Sequence, residues 1–273
     1  MKRFPLFLFL VVGLTVLGIG ARAFAADELE AIKKRGKLIV GLQPAAPPAS
    51  MINAKGELEG FEVDLAKALA DGLGVGLEMK QTSDAIRIPS LLQGAVDLEI
   101  ATMTHTRERD KQIDFSITYF VTGQRVMVRK GSPIRSVKDL AGKKVGTAKG
   151  STSEQNLMKA NPKARLVTFD DVSTAFLALQ NKTVDAITTD ESLLLSLKAG
   201  AANPGDYEVV GEYFSKEPFG IGMRQGAADL RDYVNATLMK LWETGKFKEI
   251  YNTWYGPKSK YALPLNFEME MWP

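Results

Sequence analysis

A chain of 273 residues that is 45% hydrophobic is long enough to bury one large core or two medium ones. It contains no cysteine, which excludes disulfides, cysteine-anchored lipids and thiolate metal sites, and its single histidine gives little basis for a zinc site. The net charge of +3 is too small to indicate the concentrated basic face that nucleic-acid binding requires, so we expect neither a metal cofactor nor a nucleic-acid partner.

Residues 1–25 have the pattern of a secretory signal peptide. Lys2 and Arg3 precede an uncharged apolar run, which ends near the small residues ARAFA that typify a cleavage site. An uncleaved membrane anchor is the alternative, because the run approaches the length that spans a bilayer. The segment holds three of the 35 Lys and Arg residues and none of the 32 Asp and Glu residues, so cleavage leaves no net formal charge. We expect an exported, periplasmic protein.

Strands and helices alternate in the first part of the mature chain. Lys37–Leu42 predicts a buried strand, and Phe61–Leu73 predicts an amphipathic helix, because large apolar residues recur every four positions on one face. A strand over residues 75–80, a short helix over 88–93 and a strand over 96–102 follow. This alternation favours βαβ units and a mainly parallel sheet.

The same order of elements then returns, and LLQGAVDLEIA in the first run resembles LALQNKTVDAI in the second. We therefore predict two α/β lobes of similar plan. The second run comprises strands over residues 143–148, 165–170 and 184–190 and helices over 151–159 and 174–180.

Two β-rich segments, residues 119–133 and 207–226, connect the two runs and predict a hinge with a ligand cleft between the lobes. Two more helices, Ala228–Glu243 and Lys246–Tyr255, complete the chain before a proline-bearing tail. The predicted domains are the signal peptide 1–25, lobe 1 at 26–121 plus 218–273, and lobe 2 at 122–217.

Polar groups follow three of the predicted strands, where ligands of open α/β sheets bind. Arg109 offers a guanidinium that matches a carboxylate, and residues 150–154 offer the N–H groups of a helix start, which suit an anion. Asp190 would complement an ammonium group. A carboxylate and an ammonium together describe the backbone of a free amino acid.

Each of these features also has a purely structural interpretation. Arg109 could pair with Glu108 or Asp110 on a solvated helix. Asp190 could cap the helix that follows it. Ser151 and Glu154 stand three residues apart and could form a capping box.

Six stretches follow one another in the mature chain: GKLIVG, GELEGFEVDLAKALA, MTHTRERDKQIDFS with YF, VRKGSPIRSVKDLAGKKVGTAKGSTSE, VDAITTDESLL and FGIGMRQG. In their order and spacing the chain, from roughly Leu29 to the C terminus, resembles family 3 of the bacterial solute-binding proteins, which serve amino-acid ABC transporters. The resemblance implies a type II periplasmic-binding-protein fold, a monomer that closes around an amino acid, and a membrane permease as partner.

The resemblance also implies roles for individual residues. Arg109 would clamp the α-carboxylate, and Asp190 would hold the ammonium. Thr104 and Thr102 would assist, the latter by pointing a carbonyl at the ammonium, and the backbone N–H of Thr152 would meet the carboxylate from the other lobe, where Ser151 adjoins it. Arg107 stands where the family often has proline, and we expect it to be solvated.

Recognition of the ligand side chain involves Arg87, Ser83 and Gln43 in our interpretation. Arg87 precedes Ile-Pro, as in the glutamate/aspartate-binding branch, where an arginine reaches the second carboxylate of the ligand. Glutamate or aspartate is therefore the expected guest. However, Gln43 stands where some of these proteins have another arginine, and Ala46 and Ala49 replace aromatic residues, so glutamine or asparagine is the alternative.

Two other functions are compatible with the sequence. An exported enzyme related to cyclohexadienyl dehydratases would need a catalytic acid in the cleft, such as Glu99 or Asp84, although Glu99 is expected to face away from it. A periplasmic ligand sensor would need a separate signalling partner. For His105, between two threonines at a strand end, we expect a structural role or one at the rim of the cleft.

Overall fold

The computed structural model describes residues 28–269, so the predicted signal peptide lies outside the described residues. The helices are α1 Glu28–Arg35, α2 Phe61–Leu73, α3 Arg87–Leu92, α4 Thr152–Ala160, α5 Val172–Gln180, α6 Glu191–Gly200, α7 Ala228–Glu243 and α8 Lys246–Tyr255. The strands are β1 Lys37–Leu42, β2 Ala45–Ala46, β3 Ser50–Ile52, β4 Leu58–Glu59, β5 Gly76–Gln81, β6 Leu98–Glu99, β7 Ile113–Thr122, β8 Gln124–Arg129, β9 Lys144–Ala148, β10 Arg165–Phe169, β11 Ala186–Asp190, β12 Tyr207–Val210 and β13 Glu217–Arg224.

Two five-stranded sheets form the cores of the two lobes. The strand order is β5-β1-β6-β13-β7 in lobe 1 and β10-β9-β11-β8-β12 in lobe 2. In each sheet one strand runs antiparallel to its neighbours, β13 in the first and β8 in the second. These are the strands that the chain enters directly after crossing between the lobes. The predicted pair of mainly parallel sheets is confirmed, and the crossings explain the exceptions.

An aromatic cluster packs the C-terminal helices onto lobe 1. The ring centroid of Phe61, the first residue of α2, lies 5.6 Å from those of both Phe247 and Tyr255 on α8. Phe120 of β7 completes the contact from the sheet, 5.4 Å from Tyr255. Burying each such side chain contributes about 1.5–3 kcal/mol, so this cluster ties the end of the chain to the lobe where it began.

The chain crosses between the lobes at a point where only glycine fits. An added Cβ on Gly123 would lie 2.6 Å from Tyr213 Cγ and 2.7 Å from the Ser215 carbonyl oxygen. Both atoms belong to the returning segment, residues 211–217, which leads the chain back from lobe 2 to lobe 1. The backbone N–H of Gln124 donates to Ser215 Oγ at 3.2 Å, which joins the two crossing segments side by side. This pair of segments is the hinge. The exact lobe boundaries at 121/122 and 217/218 remain a prediction.

One predicted strand is wrong in extent. The strand expected over residues 96–102 is limited to Leu98–Glu99, because the backbone turns before Thr102, whose φ is 46°. The Glu62 carboxylate accepts the Thr102 N–H at 2.7 Å and holds this turn. The small sheet β2-β3-β4 was not predicted. None of the helices within residues 28–269 is long and apolar enough to cross a membrane.

Candidate functional site

The two lobes enclose a small cavity at the carboxyl ends of β1, β6, β9 and β11. Both lobes contribute to it, as expected for a ligand site at a crevice between α/β sheets. Its lining residues are Gln43, Asp84, Arg87, Thr102 and Thr104 from lobe 1 and Ala148, Ser151, Thr152, Ser153, Val172, Thr189, Asp190 and Leu193 from lobe 2.

Most of the predicted binding residues line this cavity, but Ser83 and Arg109 do not. The carbonyl oxygen of Ser83 accepts the backbone N–H groups of Ile86 and Arg87, each at 3.1 Å, and thereby starts α3. Ser83 therefore positions Arg87 through its backbone, whereas Arg109 lies at the edge of the cavity.

Arg109 spans the cleft between the lobes. Its Nη1 donates to the Thr104 carbonyl at 2.7 Å, and its Nη2 donates to the Gly150 carbonyl of lobe 2 at 3.2 Å. The side chain is 8% exposed. Burial, and then the nearby charge of Arg87, lower the pKa of Arg109 to about 9, which leaves the guanidinium charged at neutral pH. A buried cation of this kind favours an anionic guest.

The two acids considered as partners of Arg109 contact other residues instead. Glu108 forms an ion pair with Lys111 at 2.7 Å, and Asp110 Oδ1 lies 2.6 Å from His105 Nε2. Arg107 is exposed, as expected. His105 also stacks on Phe115 with ring centroids 4.4 Å apart, which gives it the expected structural role at the rim. No group of residues within 28–269 has the composition and proximity of a metal site.

Asp190 is a buried carboxylate that lacks a hydrogen-bond partner. It ends β11 and stands at the start of α6, yet its side chain makes no hydrogen bond to that helix, so the capping interpretation is wrong. The side chain is 6% exposed and its Oδ1 has no partner. Burial, and then the charges of Glu217 and Asp84, raise the pKa of Asp190 well above its usual range. A cation in the cavity would relieve this unfavourable burial.

The start of α4 faces the same cavity. Ser151 occupies the N-cap position, but its hydroxyl donates backwards to the Ala148 carbonyl at 2.7 Å. Glu154 accepts the N–H of Gly150 instead, so the predicted capping box between Ser151 and Glu154 does not form. The first-turn N–H groups of α4 have no acceptor within the helix, and they suit an anion.

Arg87 is already paired inside the cavity. Its Nη1 donates to the Ala101 carbonyl at 2.6 Å, and its Nη2 lies 3.0 Å from Asp84 Oδ1. Asp84 Oδ2 also accepts Gln43 Nε2 at 2.6 Å. The polar atoms of this group without a partner are Arg87 Nε and Gln43 Oε1. From the sequence, Asp84 was considered only as a catalytic acid, although it stands three residues before Arg87, and its hydrogen bond with the distant Gln43 was also missed.

A second layer of buried acids lies behind the cavity. Glu62 accepts the Tyr119 hydroxyl at 2.5 Å as well as the Thr102 N–H, and burial raises the pKa of Glu62 to about 7. Burial likewise raises the pKa of Glu99 to about 8. Glu99 is fully buried and is not among the residues that line the cavity. It therefore does not present a catalytic acid to a guest.

Comparison with known proteins agrees with this arrangement. The model of the bacterial extracellular solute-binding proteins, family 3, matches residues 38–257. The chain is 38% identical to the ABC transporter glutamine-binding protein GlnH of Bacillus subtilis over 242 residues, which cover 87% of this chain and 88% of the relative. It is 46% identical to a glutamine-binding protein of Geobacillus stearothermophilus over 201 residues, which cover 72% and 76%.

The solved structures agree as well. An ancestral arginine-binding protein bound to glutamine matches with a TM-score of 0.78 and 43% identity, covering 81% of this chain and 99% of the other. All three of these relatives are named as binding proteins. The chain therefore belongs to the bacterial extracellular solute-binding proteins of family 3.

Proposed function

We propose that the protein binds free L-glutamine between its two lobes, outside the cytoplasm, and delivers it to the membrane permease of an ABC transporter. The relatives named as glutamine-binding proteins support this assignment, and so does the pattern of partnered and unpartnered groups around the cavity. The single observation that carries it is that Arg87 is already neutralised by Asp84.

The charges that line the cavity favour a zwitterion without a further charge. In this proposal Arg109 and the start of α4 bind the α-carboxylate, and the unpartnered Asp190 binds the ammonium group. Arg87 and Asp84 cancel each other. An acidic side chain would add a negative charge beside Asp84 and would have to compete with it for the guanidinium.

The unpartnered atoms favour an amide. Gln43 Oε1 is an acceptor and Arg87 Nε is a donor, and both belong to residues that line the cavity. A glutamine side chain offers an NH₂ donor and a carbonyl acceptor, so it could satisfy both atoms. Satisfying a buried polar group is worth about 1–3 kcal/mol, which is enough to select one side chain over another.

Glutamate or aspartate, the guest expected from the sequence, is the second candidate. The observation that favours it is the guanidinium of Arg87, whose 2% exposed side chain lines the cavity. Binding would then require Asp84 to release Arg87.

A thermal-shift screen of the twenty amino acids tests the proposal. The protein is first freed of co-purified ligand by unfolding and refolding. A ligand present at one hundred times its Kd stabilises the folded state by about 2.7 kcal/mol, which raises Tm measurably. L-Glutamine should produce the largest shift. A larger shift with L-glutamate or L-aspartate would replace the proposal by the second candidate.

A further inference from the structure

A second buried carboxylate joins the two lobes beside the cavity. Glu217, the first residue of β13, is 1% exposed. Its Oε2 accepts hydrogen bonds from Thr104 Oγ1 of lobe 1 at 2.6 Å and from Thr152 Oγ1 of lobe 2 at 2.8 Å. Its Oε1 accepts Asn156 Nδ2 at 2.9 Å. Unlike Asp190, this carboxylate is fully partnered by the protein itself.

Gln124, at the point where the chain passes from lobe 1 to lobe 2, sets the direction of these hydrogen bonds. Its Nε2 donates to Thr152 Oγ1 at 2.9 Å, so the hydroxyl of Thr152 accepts one hydrogen and gives its own to Glu217. Asn156 Nδ2 lies 3.1 Å from Gln124 Oε1 and closes the network. Both hinge segments and both lobes therefore contribute to one continuous set of hydrogen bonds.

This network forms a wall between the cavity and the solvent. Thr104 and Thr152 line the enclosed cavity, and together with Glu217 they also line an open groove on the other side. A hydroxyl has a single hydrogen, and both threonines commit theirs to Glu217. They therefore have no hydrogen for the carboxylate of a guest, which is left to Arg109 and the N–H groups of α4.

We propose that Glu217 is a positioning residue that latches the closed lobes by holding Thr104 and Thr152 on one carboxylate oxygen. The inference rests on the proposed function, because closure is taken to occur around an amino acid. When the lobes separate, Thr104 and Thr152 move apart, so the oxygen keeps at most one of them. The second charge-assisted hydrogen bond thus belongs to the closed form and favours it.

We call this pair of hydrogen bonds from Thr104 and Thr152 to Glu217 the latch. Calorimetric and stopped-flow titration of Glu217→Gln with L-glutamine tests it. Glutamine at this position keeps the shape, but its single carbonyl oxygen offers the two threonines only neutral hydrogen bonds, and its NH₂ group then faces Asn156 Nδ2, which is also a donor. We expect about tenfold weaker binding, caused by faster dissociation with little change in association. Glu212→Gln, an exposed site on the same returning segment, is the matched control and should bind as the wild-type protein does.

A double-mutant cycle separates the latch from direct ligand contact. Thr152→Val removes the hydroxyl, whereas Thr152→Ser keeps it. If the hydroxyl acts through Glu217, Thr152→Val weakens binding in the wild-type background but has little further effect in Glu217→Gln. Equal losses in both backgrounds would mean that the hydroxyl serves the ligand directly, and the latch would be overturned.

The distance between the lobes gives a readout of closure itself. Because the chain contains no cysteine, spin labels can be placed at Lys55→Cys of lobe 1 and Leu177→Cys of lobe 2, both exposed positions. Saturating L-glutamine should shorten the distance fully in the wild-type protein and only partly in Glu217→Gln. Equal closure and equal affinity in the two proteins would refute the latch.

If another amino acid closes the wild-type protein instead, the glutamine assignment fails, and the same comparison is made with that amino acid.

Discussion

Two neighbouring arginines of one loop differ in their surroundings, and this difference gives a matched pair of variants. Arg109 is buried and reaches Gly150 across the cleft, whereas Arg107 is exposed. Lysine keeps the charge but loses the planar fork that binds a carboxylate through two N–H groups. We expect Arg109→Lys to weaken glutamine binding about a hundredfold in calorimetry and Arg107→Lys to leave it unchanged. Equal affinities for the two variants would remove Arg109 from the site.

We expect Asp190 to favour ligand binding at the expense of the stability of the free protein. Its buried oxygen has no partner, which costs about 1–3 kcal/mol when the site holds no cation. We expect Asp190→Asn to lose glutamine binding by at least about a hundredfold and to raise the free energy of unfolding of the ligand-free protein. Titration and urea unfolding measure the two effects. A variant that is less stable and still binds would show that the carboxylate is structural.

Residue types at the site were predictable, but their pairings were not. Arg109, Asp190 and Thr152 stand out because they follow strand ends, where side chains of an α/β sheet meet a cleft. The spacing of three residues permits a pair between Asp84 and Arg87, but it does not tell whether Arg87 binds Asp84 or a ligand. The contacts of Glu217 join distant parts of the chain, and no local pattern encodes them. The sequence therefore suggested an acidic guest, whereas the observed pair supports our proposal of a neutral one.

Among the elements, the turn between β9 and α4 lies close against the opposite lobe. Gly150 has a φ of 81°, and an added Cβ would lie 2.8 Å from Ala85 Cα and 2.8 Å from the Asp84 carbonyl oxygen. These atoms belong to the loop between β5 and α3 of the other lobe. An alanine at this position should therefore obstruct closure.

Gly131 supplies the control for this element. Its φ of 79° is similar, but no atom lies within 4 Å of an added Cβ. Both Gly150→Ala and Gly131→Ala should lose about 1 kcal/mol of stability through backbone strain. Only Gly150→Ala should weaken glutamine binding, by about tenfold or more, as measured by calorimetry. Similar affinities for the two variants would contradict the closed arrangement of these loops.

Periodic elements were predicted to the residue, whereas irregular ones were not. The bounds of α2, α7 and α8 agree with the sequence analysis, because each has a regular apolar face and a clear end. The strand over residues 96–102 was overestimated, since its apolar run continues through a turn held by Glu62. Ala46 is a second residue whose position was not predicted, because it lies in the short strand β2 after β1 of lobe 1 but packs into the core of lobe 2.

At the scale of the whole molecule, the buried acids predict how stability depends on pH. Glu62 and Glu99 have pKa values of about 7 and about 8 in the folded protein, above the usual value of 4.5. Between about pH 5 and 8 the folded state therefore binds more protons than the unfolded state, and stability falls as pH rises.

Urea unfolding at several pH values measures this dependence. We expect the ligand-free protein to lose on the order of 6 kcal/mol between pH 5 and pH 8. Glu99→Gln should make the free energy of unfolding depend less on pH near pH 7–8, whereas Glu57→Gln, at an exposed position, should leave this dependence unchanged. A profile that rises with pH, or that Glu99→Gln does not alter, would contradict the burial of these acids.

The central claim is that the closed molecule selects a neutral amide because Asp84 already neutralises Arg87. Calorimetric titration of the wild-type protein with L-glutamine and L-glutamate, repeated on Asp84→Asn, tests it most directly. We predict that the wild-type protein prefers glutamine by about a hundredfold, or about 2.7 kcal/mol, and that Asp84→Asn narrows this preference by freeing Arg87. Tighter binding of glutamate than of glutamine by the wild-type protein would contradict the account.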